Sequence, residues 1–353
     1  MVSFKILAGG YDLFIATYLF DSVSLSLSVA SQSPTGSNPS WISKHPTNSS
    51  VLYAVNEVSN GVVQSFIINS AGSLSGALDS APTGGDNPAF AVALSTGQVV
   101  VMNYNTGDGR IIPTTSPTTF NKDSPVITFP KAPDTQSHPH MVLEHSNEIL
   151  GQDTIWRLTS DSSNNWVISG SIPSKAGSGP RHMAIYEDRL FVLHELSSTL
   201  TVQEMPQAPN GTSVVVSDVS IIPPDPPVGA TFAAGEILLP EPTEKFPEPY
   251  IYVSNRNTGV QDPRGDSIAI YQLVNKGTTD EKLELVNQVY TGLDQIRGME
   301  FGPAGTGGEE FLIAAGVAGS AGAIVLRRTE GGRNMEIVAK NLDIPTRTTF
   351  VWV

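Results

Sequence analysis

Four residues carry side chains that together could perform acid–base chemistry on an anionic molecule. His140, Arg181, Glu195 and Arg256 supply one imidazole, one carboxylate and two guanidiniums. An imidazole moves protons near neutral pH, and a carboxylate can orient it or share its role. Guanidiniums bind carboxylates and phosphates through two parallel hydrogen bonds. These residue types predict a proton-transfer site for a small substrate with a carboxylate or a phosphate, provided that the fold brings them together.

A repeat along the chain indicates which elements would position them. Each copy has a small residue with a Pro, an apolar strand, a turn, and a second strand that ends in a polar pair. The clearest copies are NPSWISKHPTNSSVLYAVNE and GPRHMAIYEDRLFVLHE. The residue after the Pro, or its equivalent, marks seven copies at Ser40, Ala89, His140, Arg181, Gly235, Arg297 and Thr346. In a chain of 353 residues this is one copy per roughly 50, the blade length of long-bladed propellers.

The repeat predicts an all-β fold, a single seven-bladed β-propeller domain over residues 1–353. The last copy begins at IPTRTTFVWV, where the chain ends, and the N-terminal FKILAGGY supplies its second half. The closing blade is therefore predicted to combine strands from both termini, which leaves no open sheet edge. A β-solenoid or two β-sandwiches are the alternatives, and the split repeat disfavours both.

Equivalent positions of such a repeat lie at equivalent heights around the central channel. The seven marked residues form a first ring, with Glu236 beside Gly235. A second ring, at the end of the following strand, carries Glu57, Tyr104, Glu195 and Arg256, with small residues near Gly10 and Val317. Channel charges are costly unless they are paired or functional. The rings therefore predict His140, Arg181, Glu195 and Arg256 as catalytic residues, and Glu57, Tyr104, Glu236 and Arg297 as substrate-binding residues.

Structural roles remain open for some of these side chains. Arg181 and Glu195 could form an ion pair between strands of one blade, and His140 could be a satisfied channel histidine. His182 directly follows the ring residue Arg181, and His194 directly precedes the ring residue Glu195. Because successive side chains of a strand point to opposite faces, one face is not expected to present all of them.

Composition excludes several function classes. The chain has 34 acidic and 20 basic residues, a net charge of −14, and no cysteine. The charge argues against nucleic-acid binding, and the missing cysteines exclude disulfides and thiolate chemistry. No apolar run approaches the roughly 20 residues of a membrane span, so no membrane partner is expected. A cytoplasmic location is the default prediction, and a secreted form stays open because of sequons at Asn48 and Asn210.

No known nucleophile or phosphate-loop motif occurs. The sequence contains no GxSxG elbow, HExxH or Walker loop. Arginines are frequent in the two rings, which disfavours a divalent cation there. Neither a metal nor another cofactor is expected.

Several of these strings resemble one family. PTGSNPSWISKHPTNSSVLYAVNEVSNGVV, SHPHMV, GSGPRHMAIYEDRLFVLHELSSTLTV and YIYVSNR are similar to the seven-bladed lactonases, over nearly the whole chain. That family includes propeller-type 6-phosphogluconolactonases and the fungal carboxy-cis,cis-muconate cyclases. In the cyclases the catalytic groups are a His in an HPHM string, an Arg in a PR string, a Glu after the next strand and an Arg in an SR-type string. The matching residues here are His140, Arg181, Glu195 and Arg256.

Two departures from the family pattern stand out. After HSNEIL, Leu150 runs directly into Gly151, so this blade is about four residues short of the spacing between Arg181 and Glu195. The second ring is expected to lack its residue there. His194 also stands where the family commonly has Asn.

The resemblance implies an enzyme that forms or opens a lactone without a metal, with a cycloisomerase like the fungal cyclases as the first expectation. A lactonase that hydrolyses a sugar lactone such as 6-phosphogluconolactone is the alternative. A non-catalytic propeller that binds a partner is a reading of another class, since propellers host many functions. The oligomeric state is not predicted.

Overall fold

Strands make up almost all of the regular structure. A computed structural model describes residues 3–131, 136–146, 148–151, 154–163 and 165–353. Seven four-stranded antiparallel sheets surround a central channel, and the inner strands of successive sheets contact one another around it. The predicted seven-bladed β-propeller is confirmed.

The blades are numbered from the N-terminus, and the innermost strand is given first. Blade 1 contains Arg347–Trp352, Ser3–Gly10, Phe14–Asp21 and Ser26–Pro34. Blade 2 contains Ile42–Lys44, Val51–Asn56, Val62–Ile67 and Asp79–Pro82. Blade 3 contains Pro88–Ala93, Val99–Asn103, Asp108–Ile112 and Val126–Thr128. Blade 4 contains Val142–His145, Glu148–Gly151, Ile155–Ser160 and Trp166–Ile172.

The remaining blades follow the same order. Blade 5 contains Pro180–Tyr186, Arg189–His194, Thr199–Glu204 and Val215–Ser220. Blade 6 contains Phe232–Leu238, Tyr250–Asn257, Ser267–Val274 and Lys282–Tyr290. Blade 7 contains Asp294–Phe301, Phe311–Ala318, Gly322–Thr329 and Asn334–Asn341. A two-stranded hairpin, Thr114–Ser116 with Thr119–Phe120, belongs to blade 3, and two 3-10 turns, Gly308–Glu310 and Glu330–Gly332, flank strands of blade 7.

The closing blade joins the two ends of the chain as predicted. Arg347–Trp352 is its inner strand and pairs antiparallel with Ser3–Gly10. Both chain ends thereby lose a free sheet edge, which would otherwise invite pairing with another molecule.

The apolar runs of the sequence become the second strands of the blades. VLYAV, for example, lies in Val51–Asn56, every residue of which is buried. Such a strand is covered on both faces by the neighbouring blades, so its sequence is a continuous apolar run without alternation. Seven apolar clusters result, one at each contact between neighbouring blades.

Blade 4 keeps four strands although its sequence is short. Glu148–Gly151 has four residues, against six in the second strand of blade 5, and still pairs with both neighbouring strands. The next two residues of the chain, Gln152 and Asp153, lie outside the described residues. The expected gap in the second ring of this blade therefore stays a prediction.

Membrane insertion by a helix finds no support in this fold. Among the described residues, no helix has the length and the apolar character needed to cross a bilayer.

Candidate active site

β-Bulges at the start of the inner strands build the first ring. A β-bulge leaves a residue unpaired and re-aims its side chain. The pairing register of the inner and second strands shifts at this level in blades 1, 3, 5, 6 and 7. The unpaired residues are Thr348, Ala89, Arg181, Gly235 with Glu236, and Arg297.

One member of the first ring differs from the prediction. Thr346 was expected in blade 1, but it precedes the inner strand, with a φ of 62°. The bulge places Thr348 at the matching position, where its hydroxyl donates to the carbonyl of Ser40 at 2.5 Å. The displacement arises because a bulge adds a residue to one strand only, so sequence offsets are not conserved among blades.

The bulge of blade 5 also overturns the expectation for His182. Arg181 and His182 are consecutive, and strand alternation predicted opposite directions for them. The unpaired Arg181 breaks this alternation, so its guanidinium contacts Glu195 while His182 contacts Glu236 and His140. His194 follows the expectation, since its Nε2 lies 2.8 Å from the hydroxyl of Thr201, away from the ring residues.

Glu195 bridges two of the predicted arginines. Its Oε2 accepts from Arg181 at 3.0 Å, and its Oε1 accepts from Arg256 of the next blade. Burial works to raise the pKa of the Glu195 carboxyl, but the two guanidinium charges and their hydrogen bonds outweigh it and hold that pKa at about 2. Glu195 is therefore a permanent anion at neutral pH.

Backbone carbonyls complete the surroundings of both arginines. Arg181 Nε donates to Gly235 O at 2.9 Å, and Arg256 Nη2 donates to Ala234 O at the same distance. Both guanidiniums are almost fully buried, with exposed fractions of 2% and 6%. The ion pair that the sequence left open for Arg181 is therefore present, and it extends into blade 6.

Arg297 differs from these two arginines. It lies at the mouth of the channel, which is the end that carries the two rings. Within the described part of the chain, no hydrogen bond or ion pair holds its guanidinium, which lies 5.5 Å from the ring centre of Tyr11. Burial works to lower the pKa of Arg297, but Tyr11, Glu57 and Glu195 together raise it. A half-buried guanidinium without a bound acceptor is suited to binding an anionic group.

Tyr11 is a mouth residue that the repeat did not single out. It follows the end of the Ser3–Gly10 strand, as Glu57 and Tyr104 follow the second strands of blades 2 and 3. The second ring was placed at Gly10, one residue early, and a strict comparison with Glu57 would have found the tyrosine. Burial raises the pKa of Tyr11, so its hydroxyl keeps its proton and can donate a hydrogen bond.

His140 lies between the mouth and the interior of the channel. Its Nδ1 is 3.0 Å from His182 Nε2, whereas its Nε2 is buried and has no partner among the described residues. Burial lowers the pKa of His140 well below 6.5, and the charges of Arg181, His182, Arg297 and Arg256 lower it further. The ring is therefore neutral at pH 7, with one free nitrogen.

Tyr104 borders His140 and is itself fixed by a second histidine. The two rings meet edge to face with centroids 6.0 Å apart. His138 stacks on Tyr104 at 4.5 Å and places its Nδ1 2.8 Å from the carbonyl oxygen of Tyr104.

Glu236 lies deeper than the other predicted substrate-binding residues. Its carboxylate contacts His182 and also accepts the backbone N–H of Ile237 at 3.1 Å. It borders a cavity of about 320 Å³ inside the channel, together with Trp41, Phe90 and Glu300. Burial, and then the charge of Glu236, raises the pKa of Glu300 to about 8, so this residue, which the repeat did not single out, is protonated at neutral pH.

Metal binding has no donor cluster in this site. Among the residues that the structure describes, no group of three or more His, Asp or Glu side chains is placed to hold an ion.

The family model described as "Lactonase, 7-bladed beta-propeller" matches residues 5–352, almost the whole chain. The chain belongs to the lactonase family of seven-bladed β-propellers. The resemblance seen in the sequence is thereby confirmed at the level of the family. No curated protein sequence matches the chain.

Several solved structures share this fold. A Lactobacillus plantarum protein has 19% identity and a TM-score of 0.82, with 100% of both chains covered. A putative 6-phosphogluconolactonase from Bacteroides fragilis has 19% identity and a TM-score of 0.80, with coverage of 99% of this chain and 98% of its own. The periplasmic gluconolactonase PpgL of Pseudomonas aeruginosa has 19% identity and a TM-score of 0.79, with 100% and 99% covered. At such identities the similarity establishes the fold.

Proposed function

We propose that this propeller is a lactone hydrolase that uses His140 as a general base, on a sugar lactone with an anionic substituent. The observation that carries the proposal is the free Nε2 of a neutral His140, located beside the arginines of the channel mouth. A buried nitrogen without a partner costs about 1–3 kcal/mol, and a water molecule or a substrate hydroxyl bound there would recover that free energy.

His140 suits the role of base better than Glu195 does. Two guanidiniums hold the Glu195 carboxylate, with a pKa of about 2, so it has little tendency to accept a proton near neutral pH. Its contacts instead fix the positions of Arg181 and Arg256. We therefore assign to Glu195 the neutralisation and orientation of these arginines.

The reaction would proceed through a tetrahedral intermediate. Water attacks the lactone carbonyl and gives its proton to His140 Nε2, and the N–H groups of Arg181 left free by Glu195 stabilise the oxyanion. The ring C–O bond then breaks, and the leaving oxygen takes the proton from His140. Arg297 binds the carboxylate or phosphate of the substrate, with Tyr11, Glu57 and Tyr104 around the remaining polar groups.

Hydrolysis is favoured over the cyclisation first expected from the resemblance. A cycloisomerase of the muconate type needs a protonated group that delivers a proton to carbon. His140 lacks that proton at neutral pH because burial and the arginines lower its pKa. The names of the B. fragilis and P. aeruginosa propellers, a 6-phosphogluconolactonase and a gluconolactonase, further support sugar lactones as the substrate class.

Turnover of defined lactones tests the proposal. The purified protein is expected to hydrolyse 6-phosphogluconolactone faster than gluconolactone, and a muconate lactone more slowly than both. His140→Ala should lower kcat by about 10²- to 10⁴-fold, the usual contribution of general acid–base catalysis. His145→Ala, at the far end of the inner strand of the same blade, is the matched control and should retain full turnover.

Two other results would redirect the assignment. Cyclisation of a carboxymuconate with no lactone hydrolysis would support the assignment as a cycloisomerase instead. Absence of all turnover, with binding of the lactones retained, would favour a non-catalytic propeller.

A further inference from the structure

Three buried side chains form a continuous hydrogen-bonded chain from the channel interior to the mouth. Glu236 contacts His182 Nδ1, and His182 Nε2 lies 3.0 Å from His140 Nδ1. The chain links the inner strands of blades 6 and 5 with the segment that leads into the inner strand of blade 4. It ends at His140 Nε2, which has no partner among the described residues.

The order of donors along this chain follows from its carboxylate end. Glu236 Oε1 already accepts the N–H of Ile237, and an ionised carboxylate can only accept. His182 must therefore donate from Nδ1, which leaves a lone pair on its Nε2. That lone pair accepts the Nδ1–H of His140. A neutral His140 then carries its own lone pair on Nε2, which is the arrangement that a base requires.

Aromatic packing holds the middle of the chain in place. The ring of His182 lies 5.5 Å from the ring of Trp41 and 6.4 Å from that of Phe90, measured between centroids. His182 is 1% exposed, so solvent does not compete for its two nitrogens. A ring that is hydrogen-bonded at both nitrogens and packed against a pair of contacting aromatic rings has little freedom to flip.

We propose that His182 and Glu236 are positioning residues that hold His140 in the Nδ1–H tautomer and take up the positive charge that His140 would otherwise carry during turnover. This role rests on the proposed function for its catalytic part, whereas the tautomer of His140 does not depend on any reaction.

Electrostatics favours movement of the charge away from His140. Three arginines, Arg181, Arg256 and Arg297, act on His140, and each disfavours an imidazolium there. Burial lowers the pKa of His182 as well, and Arg181 adds to this, but the adjoining Glu236 carboxylate opposes both and favours the protonated form of His182. The contact with Glu236 therefore makes a positive charge more stable on His182 than on His140.

Every proton moved in this transfer is returned by the end of the reaction. When water attacks the lactone, its proton passes to His140 Nε2, and the Nδ1 proton of His140 passes to His182 Nε2. His182 is then the cation, and His140 is neutral with its proton on Nε2. When the ring oxygen leaves, it takes that Nε2 proton, His140 Nδ1 regains its proton from His182, and both rings return to their starting state.

Two substitutions test the chain at different points. His182→Phe keeps an aromatic ring packed against Trp41 and Phe90 but removes both nitrogens, and Glu236→Gln removes the charge at similar size. Phe90→Leu is the matched control, since it disturbs the packing around His182 without touching the hydrogen bonds. Two-dimensional ¹H–¹⁵N NMR of the histidine rings reports which nitrogen of His140 carries the proton.

The wild-type protein and Phe90→Leu are expected to show His140 protonated on Nδ1 only. His182→Phe should show a mixture of tautomers. In His182→Phe and in Glu236→Gln, kcat should fall by about 10- to 100-fold, the range known for residues that hydrogen-bond and orient a metal-ligating histidine. KM should change little, because neither side chain reaches the mouth.

A wild-type His140 protonated on Nε2 would overturn the proposal, as would an unchanged tautomer in His182→Phe. An unchanged kcat in both variants would remove the charge-storing role. If no lactone is hydrolysed at all, the proposed function fails, while the NMR result still decides the tautomer. If His182→Phe does not fold, Glu236→Gln and its kcat serve as the second measurement.

Discussion

The arginines of the channel mouth divide into two kinds. Arg181 and Arg256 share Glu195 and are further held by backbone carbonyls. Arg297 faces the ring of Tyr11 and has no acceptor among the residues that the structure describes. All three occupy ring positions that the repeat marked, so sequence alone assigns them the same chemistry. The difference shows that a guanidinium in a channel gains its role from its partner. A paired one supports the architecture and orients its remaining N–H groups, and an unpaired one is left to bind ligand.

Removal of the shared carboxylate should have the largest effect. Glu195→Gln leaves two buried guanidiniums without a counter-ion, and breaking a buried pair in this way costs about 3–5 kcal/mol of unfolding free energy. Urea denaturation of the purified variant measures the loss.

Glu57→Gln is the control for this comparison. Glu57 lies in the same ring and forms no ion pair among the described residues, so its unfolding free energy should stay within about 0.5 kcal/mol of wild type. Equal losses for the two variants would mean that Glu195 does not stabilise Arg181 and Arg256.

Substitution of the unpaired arginine should affect substrate binding without affecting folding. Arg297→Lys keeps the charge but loses the planar pair of donors, so KM for a phosphorylated or carboxylated lactone should rise by roughly 10- to 150-fold, equivalent to about 1.5–3 kcal/mol. Steady-state kinetics and a thermal unfolding curve together separate binding from stability.

A second substrate, a neutral lactone without the acidic group, tests whether Arg297 acts by binding the anion. Arg297→Lys should hydrolyse it as the wild type does, because no anion remains for the guanidinium to bind. Arg181→Lys should lower turnover of both substrates, since its remaining donors face the reacting carbonyl. A larger KM effect on the acidic substrate in Arg181→Lys than in Arg297→Lys would reverse the two assignments.

The pH dependence of kcat/KM should show the smallest effect. His140 works unprotonated and its pKa lies well below 6.5, so kcat/KM should be constant from pH 8 to pH 6.5 and fall only under more acidic conditions. Glu195 stays ionised throughout that range, with a pKa of about 2, and Tyr104, with its raised pKa, stays protonated.

Arg297→Gln should move this acid limb to higher pH. Arg181, His182, Arg297 and Arg256 all lower the pKa of His140, so loss of one positive charge lets the imidazole protonate more easily. An acid limb that stays at the same pH would mean that a group other than His140 limits the rate.

Much of the architecture could be predicted from local sequence patterns. Turn residues and apolar second strands recur around the ring, because each blade repeats the same backbone path, although no Pro precedes the marked residue in blades 6 and 7. The same regularity placed His140, Arg181, Glu195 and Arg256 around one channel and joined the two chain ends in one sheet. A repeat determines the height of each residue in the channel and the order of the blades. That information was enough to predict the positions of these four residues.

Only the tertiary structure decided how the side chains pair. The bulge at Arg181 turned His182 inward, and the link between His182 and Glu236 spans 54 residues. Whether an arginine meets a carboxylate depends on differences of a few ångströms between neighbouring blades, and packing of the seven interfaces sets those distances. Sequence periodicity determines which residues reach the channel, but side-chain geometry inside it decides how they pair. Within the described part of the chain, that geometry makes Glu195 hold two arginines and leaves Arg297 and one nitrogen of His140 without a partner.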